Sequence, residues 1–423
     1  MAKVQKISEK AIVFIFFLYF CTMKTKLFIL FSLLAALVSC HQTYERKTII
    51  CIPVYGQSLA LGEEAVRITD FDSLANYANG RIVTERLDHQ FGFFDNDPNK
   101  QWVKRMTNYD KRSFELTVYS MARMLADSLG EDTLICIFPG GQGTTAIAQL
   151  GKGTEAYQKF IDDIKIAFNA TQEKGWNFVM PALCWMQGES DIEEYPDTDY
   201  RQHLLQFAKD INHDVKQITG QKQDIEIISY QTNSVSRAKD FNPLAYNCPE
   251  AIVPQTQMEL VRDNPLFHAS GPTYPYDFAR EAIHIDGNGQ QQHGLLVAQV
   301  VLDILRTRRQ LQGLLPMNFE HQDNEIIINF NTPCPNLVID TILVKKAKDY
   351  GFSVITPDNR DITQNVCIKD NNVFILCAER PDSCRIRYAI NGEKGKSGHL
   401  HGPRGNLRDS AGNWCWQFDC LLP

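Results

Sequence analysis

The sequence predicts an α/β domain with a parallel sheet wrapped by helices on both faces, followed by a smaller all-β domain. Two observations carry this. From Thr48 to Leu305, short apolar runs of strand length alternate with amphipathic segments of helix length, the pattern of successive βα crossovers. From about Pro316 the pattern changes to brief alternating runs separated by turn residues, as in a small β-sandwich. A chain of 423 residues has room for both. The expected boundaries are 1–40 for a leader, 41–314 for the α/β domain and 315–423 for the β domain.

Charge and cysteine usage narrow the function. There are 50 acidic and 43 basic residues and no basic block, so the basic stripe of a nucleic-acid binder is missing and no nucleic-acid partner is expected. Twelve cysteines contain no Cys-x-x-Cys pair and no Cys/His spacing typical of zinc. No metal and no cofactor are therefore expected. Cys51, Cys136 and Cys184 sit in apolar runs as buried thiols. Cys334, Cys367, Cys377, Cys384, Cys415 and Cys420 crowd the last part of the chain, where an exported compartment would permit disulfides without the sequence giving their pairing.

The leader holds two apolar segments. The first, 11–21, is too short to span a bilayer. The second follows Met23-Lys24-Thr25-Lys26 and ends in Leu37-Val38-Ser39-Cys40: a basic start, an apolar core and a small residue before the cut, as in a secretory signal. A cysteine directly after the cut resembles the bacterial lipobox. The expectation is a start at Met23, cleavage before Cys40 and a lipid on Cys40. That lipid would be the only membrane attachment, on the periplasmic or surface face of the cell envelope. The competing reading is one transmembrane anchor beginning at Ala11.

In the α/β part, Thr48 to Val54 is an apolar β-branched strand that stops at Gly56-Gln57-Ser58, presenting a hydroxyl at the carboxyl edge of the sheet where such folds bind ligands. Residues 62–113 are irregular and polar, a stretch long enough to be a wall or lid. A helix follows with Leu116, Tyr119, Ala122 and Leu125 on one face. The strand Thr133 to Phe138 runs into Pro139-Gly140-Gly141-Gln142-Gly143-Thr144-Thr145, whose glycines free backbone N–H groups to face an anion. A helix begins at Thr154, with Tyr157, Phe160, Ile161 and Ile164 at the 3.6-residue period. The strand from Phe178 to Trp185 ends in Gln187-Gly188-Glu189-Ser190-Asp191. A helix containing Tyr200, Leu204 and Phe207 leads to a strand from Ile225 to Tyr230. Last comes Glu281-Ala282-Ile283-His284, then a helix through Leu295, Val301 and Leu305. His268 and His293 read as solvated histidines. In the β part the expected strands are 326–330, 341–344, 373–376 and 385–389.

Four patches together resemble the SGNH hydrolase superfamily, in its sialate O-acetylesterase-like carbohydrate-esterase branch: Gly56-Gln57-Ser58, Gly141-Gln142-Gly143-Thr144-Thr145, Trp185-Met186-Gln187-Gly188-Glu189-Ser190-Asp191, and His284 with Gly289 and Gly294 behind it. The resemblance spans residues 48–308 and implies a three-layer α/β/α, flavodoxin-like esterase domain. It implies Ser58 as nucleophile, His284 as general base and Glu281 as the acid that orients it, where the family carries Asp. Glu189 is the alternative acid, and a Ser–His dyad a further one. The implied oxyanion donors are the Ser58 N–H, the Gly143 N–H (Gly141 in the other register) and the Gln187 amide, with Gln57 and Glu189 touching substrate. Leu59 stands where the family has Asn. The implied substrate is an acetylated carbohydrate. The α/β-hydrolase alternative fails because its elbow needs Gly-x-Ser-x-Gly and Ser58 is followed by Leu59-Ala60. The competing functions are a glycan-binding lipoprotein on an inactive esterase fold, and a lipid or thioester hydrolase.

Overall fold

Proline breaks the first strand of the sheet without breaking the sheet. The computed structural model describes residues 46–91, 114–193, 199–307, 310, 313–334, 336–369 and 371–422. In it, β1 (Thr48–Cys51) and β2 (Val54–Gly56) are two halves of one line. Proline has no N–H to give, yet the ladder continues across Pro53. Ile52 N–H donates to Cys136 O, Val54 N–H to Phe138 O, and Cys184 N–H to Pro53 O. After the short edge strand β3 (Ile82–Val83), the same two-part form recurs in β4 (Thr133–Cys136) with β5 (Pro139–Gly141) and in β6 (Asn177–Val179) with β7 (Ala182–Met186). β8 (Glu226–Gln231) and β9 (Phe267–Pro272) complete the sheet.

Every pairing is parallel, in the order β3, β4/β5, β1/β2, β6/β7, β8, β9. The first long strand thus lies between the second and third, the flavodoxin-like arrangement. The strand order reverses beside β2, which makes its carboxyl end the natural place for a ligand. The sequence-based expectation of a parallel α/β layer structure holds; β3 and β9 are additions to it.

The helices are α1 (Phe71–Ala75), α2 (Thr117–Ser128), α3 (Glu155–Glu173), α4 (Glu189–Glu193), α5 (Tyr200–Thr219), α6 (Ile252–Asp263) and α7 (Gly287–Thr307). α2 packs on α7; α3 packs on α5 and α5 on α6, so two helical groups flank the sheet. Local chemistry sets the ends. Thr154 caps α3 by accepting from Tyr157 N–H, and Asp199 caps α5 by accepting from Gln202 N–H. Gly220 ends α5 in the left-handed region at φ 73°. Between sheet and helices, Tyr55 stacks on Phe207 at 5.4 Å and meets Phe160 at 4.4 Å, while Trp185 lies 4.7 Å from Phe207. Each such pair adds about 1 kcal/mol beyond its buried area.

Residues 47–423 form one compact unit. Within it the C-terminal part is antiparallel. β10 (Leu315–Gln322), β11 (Glu325–Asn331), β15 (Asn372–Cys377) and β14 (Thr363–Lys369) form one sheet, in the order β10-β11-β15-β14. A second holds β13 (Phe352–Ile355), β16 (Arg385–Tyr388) and β18 (Phe418–Leu421), and β12 (Leu337–Ile339) pairs with β17 (Leu407–Asp409). The expected strand at 341–344 is a turn instead. Asp340 Oδ1 accepts from both Ile342 and Leu343 N–H, an Asx turn that leaves Ile342 92% exposed.

The part is stitched to the α/β body by buried polar bonds. Gln231, at the end of β8, donates through Nε2 to Gln417 O and accepts through Oε1 from Gln417 N–H. Tyr274 O–H donates to Cys415 O at 2.9 Å. The ten cysteines from Cys51 to Cys420 are free thiols, so the disulfides that export would permit are not formed. Among the described residues no helix is long and apolar enough to cross a membrane. Met23 and the lipobox-like Cys40 lie outside the described residues.

Candidate active site

Three strand ends meet at one point because two glycines let them. A Cβ on Gly56 would lie 1.9 Å from Met186 O, and one on Gly141 1.8 Å from Gly56 O. Neither position tolerates a side chain, so β2, β5 and β7 deliver their carboxyl ends together. Gln57 N–H donates to Met186 O and Gln142 N–H to Gly56 O, each at 3.0 Å. These bonds draw the turn after Ser58 and the turn containing Gly143 side by side.

His284 arrives from the far end of the chain on a closed loop. Phe278 and Ile285 form an antiparallel bridge, Ala279 N–H donates to His284 O, and Asp286 N–H donates to Asp277 O. Asp286 then accepts from Gly289 N–H and opens α7. The loop places His284 Nε2 2.8 Å from Ser58 Oγ. Its Nδ1 lies 2.8 Å from Glu64 Oε2. A carboxylate can only accept, so the proton sits on Nδ1 and Nε2 is free to accept from the Ser58 hydroxyl.

Glu64 is the partner that sequence reasoning missed. The chain leaves Ser58 in consecutive turns, with Leu61 and Glu63 N–H both donating to Ser58 O. Gly62 and Glu64 adopt positive φ, 70° and 62°, which curls the carboxylate back toward the serine. Its other oxygen contacts Arg280.

Glu281, expected as the acid, faces elsewhere: it accepts from Lys396 Nζ at 3.0 Å and pairs with His401 Nδ1 at 2.7 Å. Arg280 and Glu281 both have positive φ, 57° and 52°, so the one-turn spacing to His284 is not helical and the side chains diverge. Glu189, the alternative acid, is buried and receives the Tyr230 hydroxyl. Burial raises its pKa to about 7.

Three further expectations are corrected. Gln187 has no N–H left for an oxyanion: its amide donates to Thr145 O at 3.2 Å and to Asp191 Oδ2. Both partners are acceptors, so the amide orientation is forced. Gln57 and Glu189, expected to touch substrate, are each 1% exposed. Gln57 Oε1 instead accepts from Gly188 and Ser190 N–H, holding the β7 end to the serine turn. By contrast, among the described residues no acceptor is paired with the backbone N–H of Ser58 or of Gly143.

Two histidines read as solvated are in the core. His293, on α7, lies 3.0 Å from Thr117 Oγ1 and 2.9 Å from Ser270 Oγ, tying α7 to α2 and β9. His268, on β9, is fully buried beside Glu226.

The electrostatics favour a neutral imidazole. Burial, then the charges of Arg237 and Arg280, pull His284 from 6.5 down to about 4. Arg280 also offsets the charge that Glu64 would otherwise lend to the ring. Among the described residues no three His, Cys, Asp or Glu side chains converge as metal ligands.

A serine bonded to a histidine that is bonded to a carboxylate, on the carboxyl edge of a parallel sheet, is the make-up of a serine hydrolase. The chain belongs to the carbohydrate esterase family described as sialic acid-specific acetylesterase, whose model matches residues 75–303, more than half of its length. It is a hydrolase acting on carbohydrate esters, of the O-acetylesterase type.

Among solved structures, a carbohydrate acetylesterase from Xanthomonas citri superposes with a TM-score of 0.58 at 14% identity, covering 88% of this chain and 80% of that one. A protein from Arabidopsis thaliana gives a TM-score of 0.43 at 16% identity over 61% of this chain and 98% of that one. The structure of NanS gives 0.43 at 15% identity over 62% and 98%. No curated protein sequence matches the chain.

Proposed function

We propose that the protein removes O-acetyl groups from sugars through an acetyl-serine intermediate, with Ser58 as nucleophile, His284 as base and Glu64 as the acid that orients it. The observation that carries this reading is the unbroken Ser58–His284–Glu64 line, 2.8 Å at each step.

Ser58 Oγ attacks the acetyl carbonyl as its proton passes to His284 Nε2. The tetrahedral oxyanion is met by the N–H groups of Ser58 and Gly143, each such donor contributing on the order of 3 kcal/mol. The imidazolium formed is stabilised by Glu64 and gives its proton to the leaving sugar oxygen as the acyl C–O bond breaks, which releases the sugar as its free hydroxyl. Water, activated by the same nitrogen, then cleaves the acetyl-serine. Gln187 supports this indirectly, by fixing Thr145 beside the glycine turn.

The order and identity of the sequence patches support an SGNH-type ancestry. The basic segment, apolar run and Cys40 support export and lipid anchoring on the bacterial cell envelope.

The test is acetate release by residues 41–423 from acetylated sialic acid, xylan, pectin and peptidoglycan fragments. The wild type is expected to release acetate from at least one, and Ser58→Ala from none. Equal rates for the two proteins on every substrate contradict the proposal. Export is read separately, from incorporation of labelled palmitate that Cys40→Ala abolishes.

A further inference from the structure

The seam between the α/β body and the C-terminal part contains a cleft that no step of the hydrolysis uses. It lies against the edge strand β9 and α7, and its volume is about 180 Å³. That is room for roughly a dozen water-sized atoms, the heavy-atom count of one hexose. Gln299 and Asp303 border it from α7, Tyr276 from the loop after β9, and Asn413, Trp414 and Trp416 from the C-terminal part. Along the helix, Gln299 is roughly 18 Å from the first turn of α7 beside His284, so the cleft is separate from the hydrolytic centre.

Two features mark it as a site. Trp416 is fully buried, yet its indole Nε1 has no hydrogen-bond partner. An indole N–H left unpaired inside a protein loses the hydrogen bond that water gave it in the unfolded chain, so a buried orphan asks for an explanation. It stands in the wall of the cleft: Trp416 and Gly313 both line it, and a Cβ on Gly313 would stand 3.1 Å from Nε1, but Gly313 carries none. The loop across the cleft is also built in advance. Asp409 Oδ1 accepts from Ala411 and Asn413 N–H, and Oδ2 from Cys334 N–H and Asn413 Nδ2. Trp414 is held edge-on to Tyr274 at 6.0 Å.

We propose that this cleft is a second, non-catalytic carbohydrate site that seats one sugar ring of the glycan whose esters the enzyme cleaves. The apolar C–H face of a pyranose packs on the exposed part of Trp414, a ring hydroxyl or acetyl oxygen accepts from Trp416 Nε1, and other hydroxyls reach Gln299, Asp303 and Asn413. An acyl chain would fill the apolar walls but could not accept from the indole. Holding the polymer at a second point raises the local concentration of its esters at Ser58. The inference rests on the carbohydrate-esterase reading for its choice of ligand.

The test is calorimetric titration of the full Ser58→Ala chain, which cannot consume the ligand, with unacetylated sialyllactose, xylotetraose and galacturonic acid tetramer. Binding of one of these is expected. Trp414→Ala should weaken it by about tenfold or more, and Asp303→Ala several-fold. In the active enzyme, Trp414→Ala should leave hydrolysis of 4-nitrophenyl acetate unchanged and raise KM only on the polymeric substrate. No Trp414-dependent binding with any of the three sugars, or binding of decanoate in their place, overturns the proposal. Loss of 4-nitrophenyl acetate hydrolysis in the wild type would instead count against the hydrolase reading, so the two failures are distinguishable.

Discussion

Five residues separate Ser58 from Glu64, and no regular element connects them. The carboxylate reaches His284 only because Gly62 and Glu64 take left-handed backbone, φ 70° and 62°. Such a curl has no periodicity to read, which is why the one-turn spacing of Glu281 to His284 looks better in the sequence than the true partner. Ser58 and His284 were legible for opposite reasons. Ser58 ends an apolar β-branched run, and His284 directly precedes a capped helix. The prediction at this scale is a contrast. Glu64→Gln keeps the shape but removes the negative charge that fixes the tautomer and stabilises the imidazolium, and kcat should fall on the order of 10³–10⁴-fold, as when other triad acids are neutralised. Glu281→Gln should cost far less, because it loses only a contact to Lys396 and His401. Equal losses in steady-state kinetics would contradict the assignment.

A second residue-scale prediction concerns pH. The base must be neutral, and His284 is held down to about 4 from an ordinary 6.5. The rate constant kcat/KM reports the free enzyme. Its acid limb should therefore fall near pH 4 and not near 6.5. Arg280→Ala removes a positive charge and releases Glu64, so the limb should move upward. A wild-type limb at 6.5 would contradict the account.

At the scale of elements, the buried polar bonds between helices decide the acid response. His293 joins α7 to α2 and β9 in a fully buried place, and burial lowers it from 6.5 to about 3. The unfolded chain takes up this proton below 6.5 while the folded chain refuses it until about 3. His284 behaves alike down to about 4. Stability should therefore fall as pH drops through that window, by linkage. Urea melts between pH 7 and 4 should show the loss, and His293→Gln should make it shallower. A flat profile would contradict the neutral buried histidine.

Elements were legible where packing imposes a period: α2, α3 and α5 each show their buried stripe in the sequence, and α7 does so except at Leu295, expected on the buried face and 45% exposed. They were illegible where a side chain competes with the ladder. The apolar run at 341–344 reads as a strand, but the Asp340 carboxylate takes Ile342 and Leu343 N–H and makes a turn. His293 read as solvated because its polar partners, Thr117 and Ser270, are remote in sequence.

Residues 47–423 are one unit in which the C-terminal part completes the hydrolytic body. Asn233 donates to Pro403 O and accepts from Gly398 N–H, while Asp277 pairs with His399 and Glu281 with Lys396 and His401. The segment around 393–404 therefore grips both the loop after β8 and the loop that carries His284. Removing residues 315–423 would strip the buried Gln231 and Tyr274 of their partners and free the His284 loop. Residues 47–314 alone should be insoluble or lose most kcat, as measured by expression and acetate release. A soluble fragment of full activity would contradict this coupling. The parallel sheet and the β-rich tail were readable from strand spacing alone, whereas these contacts join residues more than a hundred positions apart and leave no local pattern.

The central claim is that Ser58 carries the acyl group. It is tested most directly by mixing enzyme with 4-nitrophenyl acetate, quenching in acid within a turnover and mapping the acetylated peptide by mass spectrometry. The account predicts acetyl on Ser58 in the wild type and none in His284→Ala. An acetyl group on another residue, or undiminished turnover by Ser58→Ala, would contradict it.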